Sequence, residues 1–205
     1  ELRPLGSRPN FFNHRNRDGY FGSLRFGTCW PRTPQSAQRC ANILIMGLRD
    51  GDGWVFCNCG YRHWGLHGAA GLLMVRFDMG EPHVLLQLRA AWTHGGGTWA
   101  IPGGALDSHE DSIEAAIREA YEEAGIDQQF LDVKDIYSDN HGNWRYDTVI
   151  AHVTGDVGAH EANYESDEVR WVGLSTVEGF DLHPGLRSSW PHVLPKLIAS
   201  LPNEG

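Results

Sequence analysis

The longest mainly apolar run of the chain, residues 68–77, predicts a β-strand. Because successive side chains of a strand point to opposite faces, a run this apolar requires a sheet that is covered on both faces. A turn of polar and glycine residues follows, and residues 83–89 predict the hairpin partner of this strand. The two strands therefore favour a sheet that lies between other layers of structure.

The remaining apolar patterns alternate between strand-like and helical periodicity. Residues 110–124 place their apolar side chains on one helical face, and Gly125 follows as a C-terminal stop. Residues 190–201 predict a closing helix. Further strands are predicted at residues 99–101, 130–137, 144–154 and 169–172. This order predicts an α/β domain in which a mixed sheet lies between helices.

The first part of the chain lacks such periodicity, because Gly, Pro, Asn, Arg and Ser interrupt every apolar group. We therefore expect residues 1–53 to form an N-terminal extension that is disordered or loosely packed. Residues 54–205 are expected to form the folded domain. Since the pattern begins late, we also consider the hypothesis that the natural protein starts at Met46.

Charge and hydrophobicity narrow the classes of function. The net charge is −9, and residues 46–205 hold 10 basic against 24 acidic side chains, whereas residues 1–45 hold seven Arg against two acidic ones. An acidic body repels a phosphate backbone, so we expect no broad nucleic-acid binding. The apolar run is far shorter than the roughly 20 residues of a membrane span. With no signal peptide pattern at the start, we expect a cytoplasmic protein.

Four cysteines are too few for a disulfide scaffold. Cys57 and Cys59 lie near His63 and His67, which raises the question of a zinc site. Structural zinc sites favour two to four residues between paired cysteines, but a single residue separates this pair. The other two cysteines, in the N-terminal extension, have ten residues between them. The spacing therefore argues against zinc and favours buried or surface thiols.

The helix predicted at residues 110–124 carries three carboxylates on one face. Glu119, Glu122 and Glu123 are three and four positions apart and project from neighbouring points. Like charges at this spacing destabilise a helix, and neither Glu122 nor Glu123 has a basic residue four positions later. A hard dication such as Mg²⁺ resolves this repulsion, because it binds carboxylate and phosphate oxygens together. A solvated acidic helix face is the alternative interpretation.

The segment around this helix resembles the Nudix box, the signature of the Nudix hydrolases. The 23-residue match holds at every fixed position, which are Gly104, Glu110, Arg118, Glu119, Glu122, Glu123 and Gly125, with Ala120 and Ile126 at the two aliphatic sites. The resemblance implies the α/β Nudix fold, a mixed sheet between helices. It also implies hydrolysis of a nucleoside diphosphate linked to another group, by water attack on phosphorus with Mg²⁺ or Mn²⁺ bound.

The resemblance also implies a role for each residue of the box. Glu122 and Glu123 are expected to bind the metal, Glu119 to act as a ligand or as the catalytic base, and the Gly103 carbonyl to join the metal shell. Arg118 is eight positions after Glu110, about two helical turns, so the two can pair and hold the preceding loop against the helix. We count Arg118 among the catalytic residues through this support of the metal's outer shell.

A further carboxylate is expected from outside the helix. The acidic stretch at residues 165–168, before the strand predicted at residues 169–172, is similar to one found in many Nudix enzymes. Glu168 is the predicted outlying metal ligand or alternative base, and Glu165 is the second choice. An ordinary acidic turn is the alternative interpretation.

Residues outside the box are candidates for substrate contacts. The predicted substrate-binding residues are Arg89, Trp99 and Arg145. For each aromatic candidate the alternative is core packing, and for each arginine it is a surface position. The wider set of candidates adds Arg76, Trp92, Tyr137 and Trp144.

Marks of other Nudix subfamilies are missing from the chain. No proline lies between Pro102 and Pro184, although ADP-sugar pyrophosphatases tend to have one after the box. This absence favours a MutT-like enzyme that cleaves a nucleoside triphosphate to the monophosphate and pyrophosphate. ADP-ribose or another nucleoside diphosphate sugar is the alternative substrate, and a non-catalytic nucleotide-sensing module is the alternative function. The expected partner is a small nucleotide rather than a membrane, and a homodimer stays open.

Overall fold

The computed structural model describes residues 49–155 and 157–202, all within one unit, Ile45–Gly205. The strands of these residues are β1 (Trp54–Phe56), β2 (Arg62–Trp64), β3 (Ala69–Asp78), β4 (Glu81–Arg89), β5 (Trp99–Ala100), β6 (Gly103–Ala105), β7 (Leu131–Asn140), β8 (Arg145–Val153) and β9 (Ser166–Gly173). The α-helices are α1 (Ser112–Ala124) and α2 (Pro184–Ser200). Two 3₁₀ helices, Gln128–Phe130 and Leu174–Gly179, follow α1 and β9.

A seven-stranded mixed sheet forms the centre of the domain. Its strands lie in the order β5-β4-β3-β8-β7, while β6 pairs with β3 and β9 pairs with β4. The pairing of β3 with β8 is parallel and sets Ala70 opposite Asp147, whereas the other pairings of this sheet are antiparallel. As predicted, β3 is buried on both faces: Leu72 and Met74 belong to one core, and Leu73 to the other.

Each face of the sheet is covered by one helix. The start of α1 is a capping box. The Asp111 side chain accepts a hydrogen bond from the Glu114 N–H, and the Glu114 side chain accepts one from the Asp111 N–H. The helix ends at Gly125, whose φ of 68° is left-handed and therefore favours glycine. On the other face, α2 buries Trp190 and Leu197. It starts six residues earlier than predicted, because Pro184 fits the first helical turn. The predicted α/β fold is confirmed.

A separate hairpin, β1 and β2, lies outside the seven-stranded sheet. Trp54 is opposite Trp64 in its register. The hairpin is joined to the turn between β7 and β8 by side-chain hydrogen bonds. Trp144 Nε1 donates to the Trp64 carbonyl at 3.1 Å, and Asn143 Nδ2 donates to the Phe56 carbonyl at 2.9 Å.

Residues 49–53 belong to the predicted N-terminal extension but hydrogen-bond to the domain. The Gly51 N–H donates to Asp107 Oδ1 at 3.2 Å, and the Leu66 N–H donates to the Gly51 carbonyl at 2.8 Å. The rest of the extension, with Met46 and the cysteines at positions 29 and 40, lies outside the described residues. The domain boundary therefore stays a prediction. In the described part of the chain, no helix is both long enough and apolar enough to span a bilayer.

Candidate active site

Helix α1 and strand β6 bring together a buried and a half-buried carboxylate, Glu123 and Glu119. Glu123, only 2% exposed, accepts hydrogen bonds from Gln87 Nε2 at 3.0 Å and from the Gly103 N–H at 2.8 Å. Glu119 lies against Gly104, where an added Cβ would be 2.4 Å from Glu119 Oε1. Gly104 therefore leaves the space in which the Glu119 carboxylate lies, whereas Gly103 contacts Glu123 through its N–H.

Electrostatics single out four carboxylates, Glu119, Glu122, Glu123 and Glu165, which we call the acidic cluster. Burial, with repulsion from Glu119, raises the pKa of Glu123 to about 8. Burial also raises the pKa of Glu119 to about 7, against the opposing effect of Arg118. The pKa of Glu165 is raised by burial first and by Glu122 among its neighbours. Crowded, partly desolvated carboxylate oxygens are a donor set that fits a hard dication such as Mg²⁺ or Mn²⁺.

Arg118 links the helix to the loop before it, as its spacing from Glu110 predicts. Its Nε and Nη2 donate to the two oxygens of Glu110 at 2.6 and 2.8 Å, and Nη2 also donates to the Ala105 carbonyl at 3.0 Å. These bonds hold the pKa of Glu110 at about 2, although burial opposes them. Arg118 Nη1 contacts Glu119 at 2.6 Å, so the same guanidinium orients one member of the acidic cluster.

Glu122 has two basic partners, although no basic residue follows it four positions later. Arg49 Nη1 lies 3.1 Å from Glu122 Oε1, and Arg118 Nη1 lies 3.5 Å from Glu122 Oε2. Arg118 precedes Glu122 by four positions, and the sequence analysis considered only the positions that follow. Arg49 also donates to Asp107 at 2.7 Å, and no signal in the sequence distinguishes it from the other arginines of the extension.

The structure separates the two candidates for the outlying carboxylate. Glu168 pairs with Arg170 at 2.5 Å, and strand alternation places both on the α2 side of the sheet, where Arg170 lies over Trp99. Glu165 interacts electrostatically with Glu119, Glu122 and Glu123. Thus Glu165, the second choice of the sequence analysis, is the one brought to the acidic cluster.

A cleft of about 290 Å³ borders the acidic cluster at Gly103 and Gly104. Its walls include Arg89 and Tyr146 from the main sheet. Its other lining residues include Trp64, His94, Trp144 and His183. Burial lowers the pKa of His183 to about 4, so this imidazole is neutral at pH 7. The cleft thus has aromatic walls and one arginine close to the carboxylates.

The predicted substrate contacts are only partly brought together. Arg89 lines the cleft and donates from Nε to the His94 carbonyl at 2.9 Å. Trp99 packs against Phe180, with ring centroids 5.2 Å apart. Arg145 donates to Asp147 at 2.9 Å. Neither Trp99 nor Arg145 lines the cleft.

Of the wider set of candidates, one lines the cleft. Trp144 does so, with one face of its ring stacked on His63 at 4.1 Å. The others contact residues elsewhere, since Trp92 stacks on Tyr164, Tyr137 stacks on His192 and Arg76 lies over Trp171.

A second group of side chains that could hold a metal ion lies where the hairpin meets the turn between β7 and β8. One ligand atom from each of Cys57, Cys59, His63 and His141 lies within 4.8 Å of the other three. His67, considered in the sequence analysis, instead interacts electrostatically with Asp50. Spacing along the chain could not reveal His141, which joins the group from the turn between β7 and β8.

Comparisons with known proteins agree with the resemblance seen in the sequence. The model of the NUDIX domain family matches residues 65–194. A Mycobacterium tuberculosis (H37Rv) protein named "Putative 8-oxo-dGTP diphosphatase 3" is 46% identical over 149 residues, which cover 69% of this chain and 68% of that protein. A nucleoside triphosphate pyrophosphatase/Nudix hydrolase fusion protein of Bifidobacterium longum is 44% identical over 179 residues. These cover 83% of this chain but 37% of the fusion protein.

Solved structures show the same relationship. The crystal structure of RenU, a Nudix hydrolase from M. smegmatis, has a TM-score of 0.67 and 42% sequence identity, and the match covers 76% of this chain and 99% of RenU. A C. elegans Ap4A hydrolase, at 23% identity and a TM-score of 0.53 over 65% of this chain and 96% of its own, shares the fold. The chain therefore belongs to the Nudix hydrolase family, as predicted from the box at residues 104–126.

Proposed function

We propose that this chain hydrolyses a pyrophosphate bond of a nucleoside triphosphate, releasing the nucleoside monophosphate and pyrophosphate, with Mg²⁺ or Mn²⁺ bound. The observation that carries the proposal is the acidic cluster beside the cleft. Burial and repulsion within the cluster raise the pKa values of Glu119 and Glu123, so these two groups hold protons that a bound dication would replace. A phosphate chain that enters the cleft would pass the glycines of β6, behind which these carboxylates lie.

The proposed metal ligands are Glu119, Glu122 and Glu123 from α1 and Glu165 from the segment before β9. When bound, the dication lowers the pKa of water and balances the charge that develops on the pyrophosphate. The Gly103 carbonyl remains a proposed ligand from the family resemblance. Ion pairs with Arg49 and Arg118 hold Glu122 in place.

The chain's own residues supply the remaining steps. Glu119 or Glu165 takes the proton from the attacking water, because each is a carboxylate whose pKa burial raises toward neutrality. Arg118 contacts Glu119 and Glu110 and therefore fixes the direction of the Glu119 carboxylate. Arg89, at the edge of the cleft, neutralises phosphate charge.

The choice of a triphosphate, including an oxidised purine form, rests on two supports. The relative from M. tuberculosis, 46% identical, carries a name that refers to 8-oxo-dGTP. The chain also lacks the proline that ADP-sugar pyrophosphatases tend to have after the box. Trp144 and Trp64 line the cleft and offer aromatic surfaces against which a base can stack.

A panel of nucleotides tests this proposal. The purified chain is incubated with MgCl₂ and either canonical dNTPs, 8-oxo-dGTP, ADP-ribose or other nucleoside diphosphate sugars, and products are separated by ion-exchange chromatography. We expect a triphosphate to give the monophosphate and pyrophosphate with the highest kcat/KM. Faster cleavage of ADP-ribose or a nucleotide sugar would replace the proposed substrate. If the wild type forms no more product than the Glu123→Gln variant from any nucleotide, the chain is a nucleotide-binding module without turnover.

A further inference from the structure

The hairpin β1–β2 is too small to be stable by its own packing. Each strand has three residues, and neither pairs with the seven-stranded sheet. Phe56 and Tyr61 are among its exposed aromatic side chains, at 79% and 74%. Isolated two-stranded hairpins are at best marginally stable in water, and small folds of this kind are often held by a metal or a disulfide.

Four side chains meet where this hairpin contacts the main domain, and we call Cys57, Cys59, His63 and His141 the Cys/His cluster. Cys59 Sγ lies 3.1 Å from His63 Nε2, and Cys57 Sγ lies 3.4 Å from the His141 carbonyl. The rings of His63 and His141 are 4.7 Å apart. All four ligand atoms lie within 4.8 Å of one another. Small side-chain movements would bring them to the ligand–ligand distances of a tetrahedral zinc site.

The surroundings of the histidines match those of metal ligands. His141 Nε2 lies 3.3 Å from Asp139 Oδ2. A metal-bound histidine commonly donates a hydrogen bond from its other ring nitrogen to such a carboxylate. His63 is held in plane by stacking on Trp144, at 4.1 Å and 12°. Both imidazoles are therefore oriented by neighbours from β7 and from the turn that follows it.

We propose that the Cys/His cluster binds one Zn²⁺ ion, separate from the dication of the acidic cluster. Two thiolates and two imidazoles form the Cys₂His₂ set that tetrahedral zinc prefers, whereas Mg²⁺ selects oxygen ligands. Binding displaces the two thiol protons and leaves the histidines neutral, with no change of oxidation state. The ion cross-links the hairpin to the turn between β7 and β8. It thereby fixes Trp64 and Trp144, which line the cleft.

The short Cys57–Cys59 spacing does not exclude this site. The preference for two to four residues between cysteines describes two cysteines that bind the ion from a single loop. Here the other half of the shell comes from β2 and from a turn about 80 positions away. The backbone around the cysteines is already fixed, since the Cys57 N–H donates to the Tyr61 carbonyl at 2.9 Å and the Gly60 N–H donates to the Cys57 carbonyl at 3.0 Å.

Metal analysis of the full chain tests the proposal. Protein reconstituted with ZnCl₂ is passed through a desalting column, and zinc is measured by atomic emission. We expect about one zinc ion per chain in the wild type and a roughly tenfold or greater loss in Cys59→Ser and His141→Asn. His67→Asn, just after β2, is the matched histidine control, and Glu122→Gln is the control for the acidic cluster. Both controls should keep their zinc, so the result does not depend on hydrolytic activity.

Substitution with Co²⁺ gives a second readout on the wild type, which remains informative if a variant fails to fold. Tetrahedral Co²⁺ with two thiolates gives intense visible d–d bands and a near-ultraviolet sulfur charge-transfer band, and we expect both. Wild-type protein without zinc or without these bands would overturn the proposal, as would zinc retained by Cys59→Ser. A Cys57–Cys59 disulfide, identified by mass spectrometry of proteolytic peptides in protein without bound metal, would equally overturn it.

Discussion

Glu123 is a carboxyl group whose ionised form the fold disfavours. It is buried, its pKa is raised to about 8, and the contacts it receives come from the neutral Gln87 side chain and the Gly103 N–H. A buried ionisable group whose pKa is shifted this far is a candidate for a functional role. The functional assignment thus rests on individual side chains such as Glu123.

The first prediction concerns Glu123→Gln. It should lower kcat roughly 100-fold or more, because the proposed metal loses a charged ligand. The same change should leave the free energy of unfolding of the metal-free protein equal or higher, since the cost of ionising a buried carboxyl group is removed. Steady-state kinetics and urea denaturation measure the two effects. Glu114→Gln, on the same helix, is the matched control, because Gln can replace Glu in a capping box. Equal activity of Glu123→Gln and wild type would contradict the prediction.

Glu165 and Glu168 offer a paired comparison. Glu165→Gln should lower kcat by roughly 10- to 100-fold, because Glu165 interacts with the carboxylates of α1. Glu168→Gln should leave kcat within about twofold of wild type, since Glu168 pairs with Arg170 on the other side of the sheet. Measured rates with the preferred substrate decide between them. The opposite order would return the outlying ligand to Glu168.

At the level of elements, α1 is fixed to the loop before it by the Arg118–Glu110 pair. The Arg118 and Glu110 side chains are 15% and 8% exposed. Arg118→Ala should therefore lower the free energy of unfolding by about 3 kcal/mol, because Glu110 would lose its closest partner and keep only the weaker pair with Arg49 Nη2, 3.7 Å away. Adding Glu110→Gln to this variant should recover part of the loss. Urea denaturation measures both effects, and a loss below about 1 kcal/mol in Arg118→Ala would contradict the assignment.

The elements were predictable from the sequence where one local pattern decided them. The strand β3 and the helix α1 follow from apolar periodicity and a glycine stop, and the Arg118–Glu110 pair follows from spacing on a helix. Contacts made by distant segments were not predictable. The contacts of Arg49 and His141 depend on the paths of loops that are distant in the sequence. The position of Glu165 rather than Glu168 beside the acidic cluster depends on an irregularity in strand pairing at Leu88/Arg89. The start of α2 was missed because the apolar pattern begins later than its Pro184 first turn.

At the level of the whole molecule, the acidic cluster links stability to pH and to Mg²⁺. The folded pKa values of Glu119 and Glu123, about 7 and about 8, lie above the ordinary value of 4.5. The folded state thus binds more protons than the unfolded state, so metal-free stability falls as pH rises from about 4.5 through 8. Bound Mg²⁺ replaces those protons. Added MgCl₂ should therefore raise Tm more at pH 8 than at pH 6.

Thermal denaturation with and without MgCl₂ measures this dependence, and omitting chelators leaves any zinc in place. Glu123→Gln should remove much of the difference between the two pH values, because Glu123 carries the larger of the two shifts. A rise in Tm that is equal at both pH values, or larger at pH 6, would show that these carboxylates do not exchange protons for the cation.

Mn²⁺ binding followed by electron paramagnetic resonance tests most directly whether the acidic cluster holds a dication. Titrating Mn²⁺ into the wild type should deplete the free-ion signal at a saturable site. Glu122→Gln and Glu123→Gln should weaken that binding at least roughly tenfold. Glu114→Gln and Cys59→Ser should bind Mn²⁺ like the wild type. Equal affinity in the wild type and in both Glu122→Gln and Glu123→Gln would contradict the account.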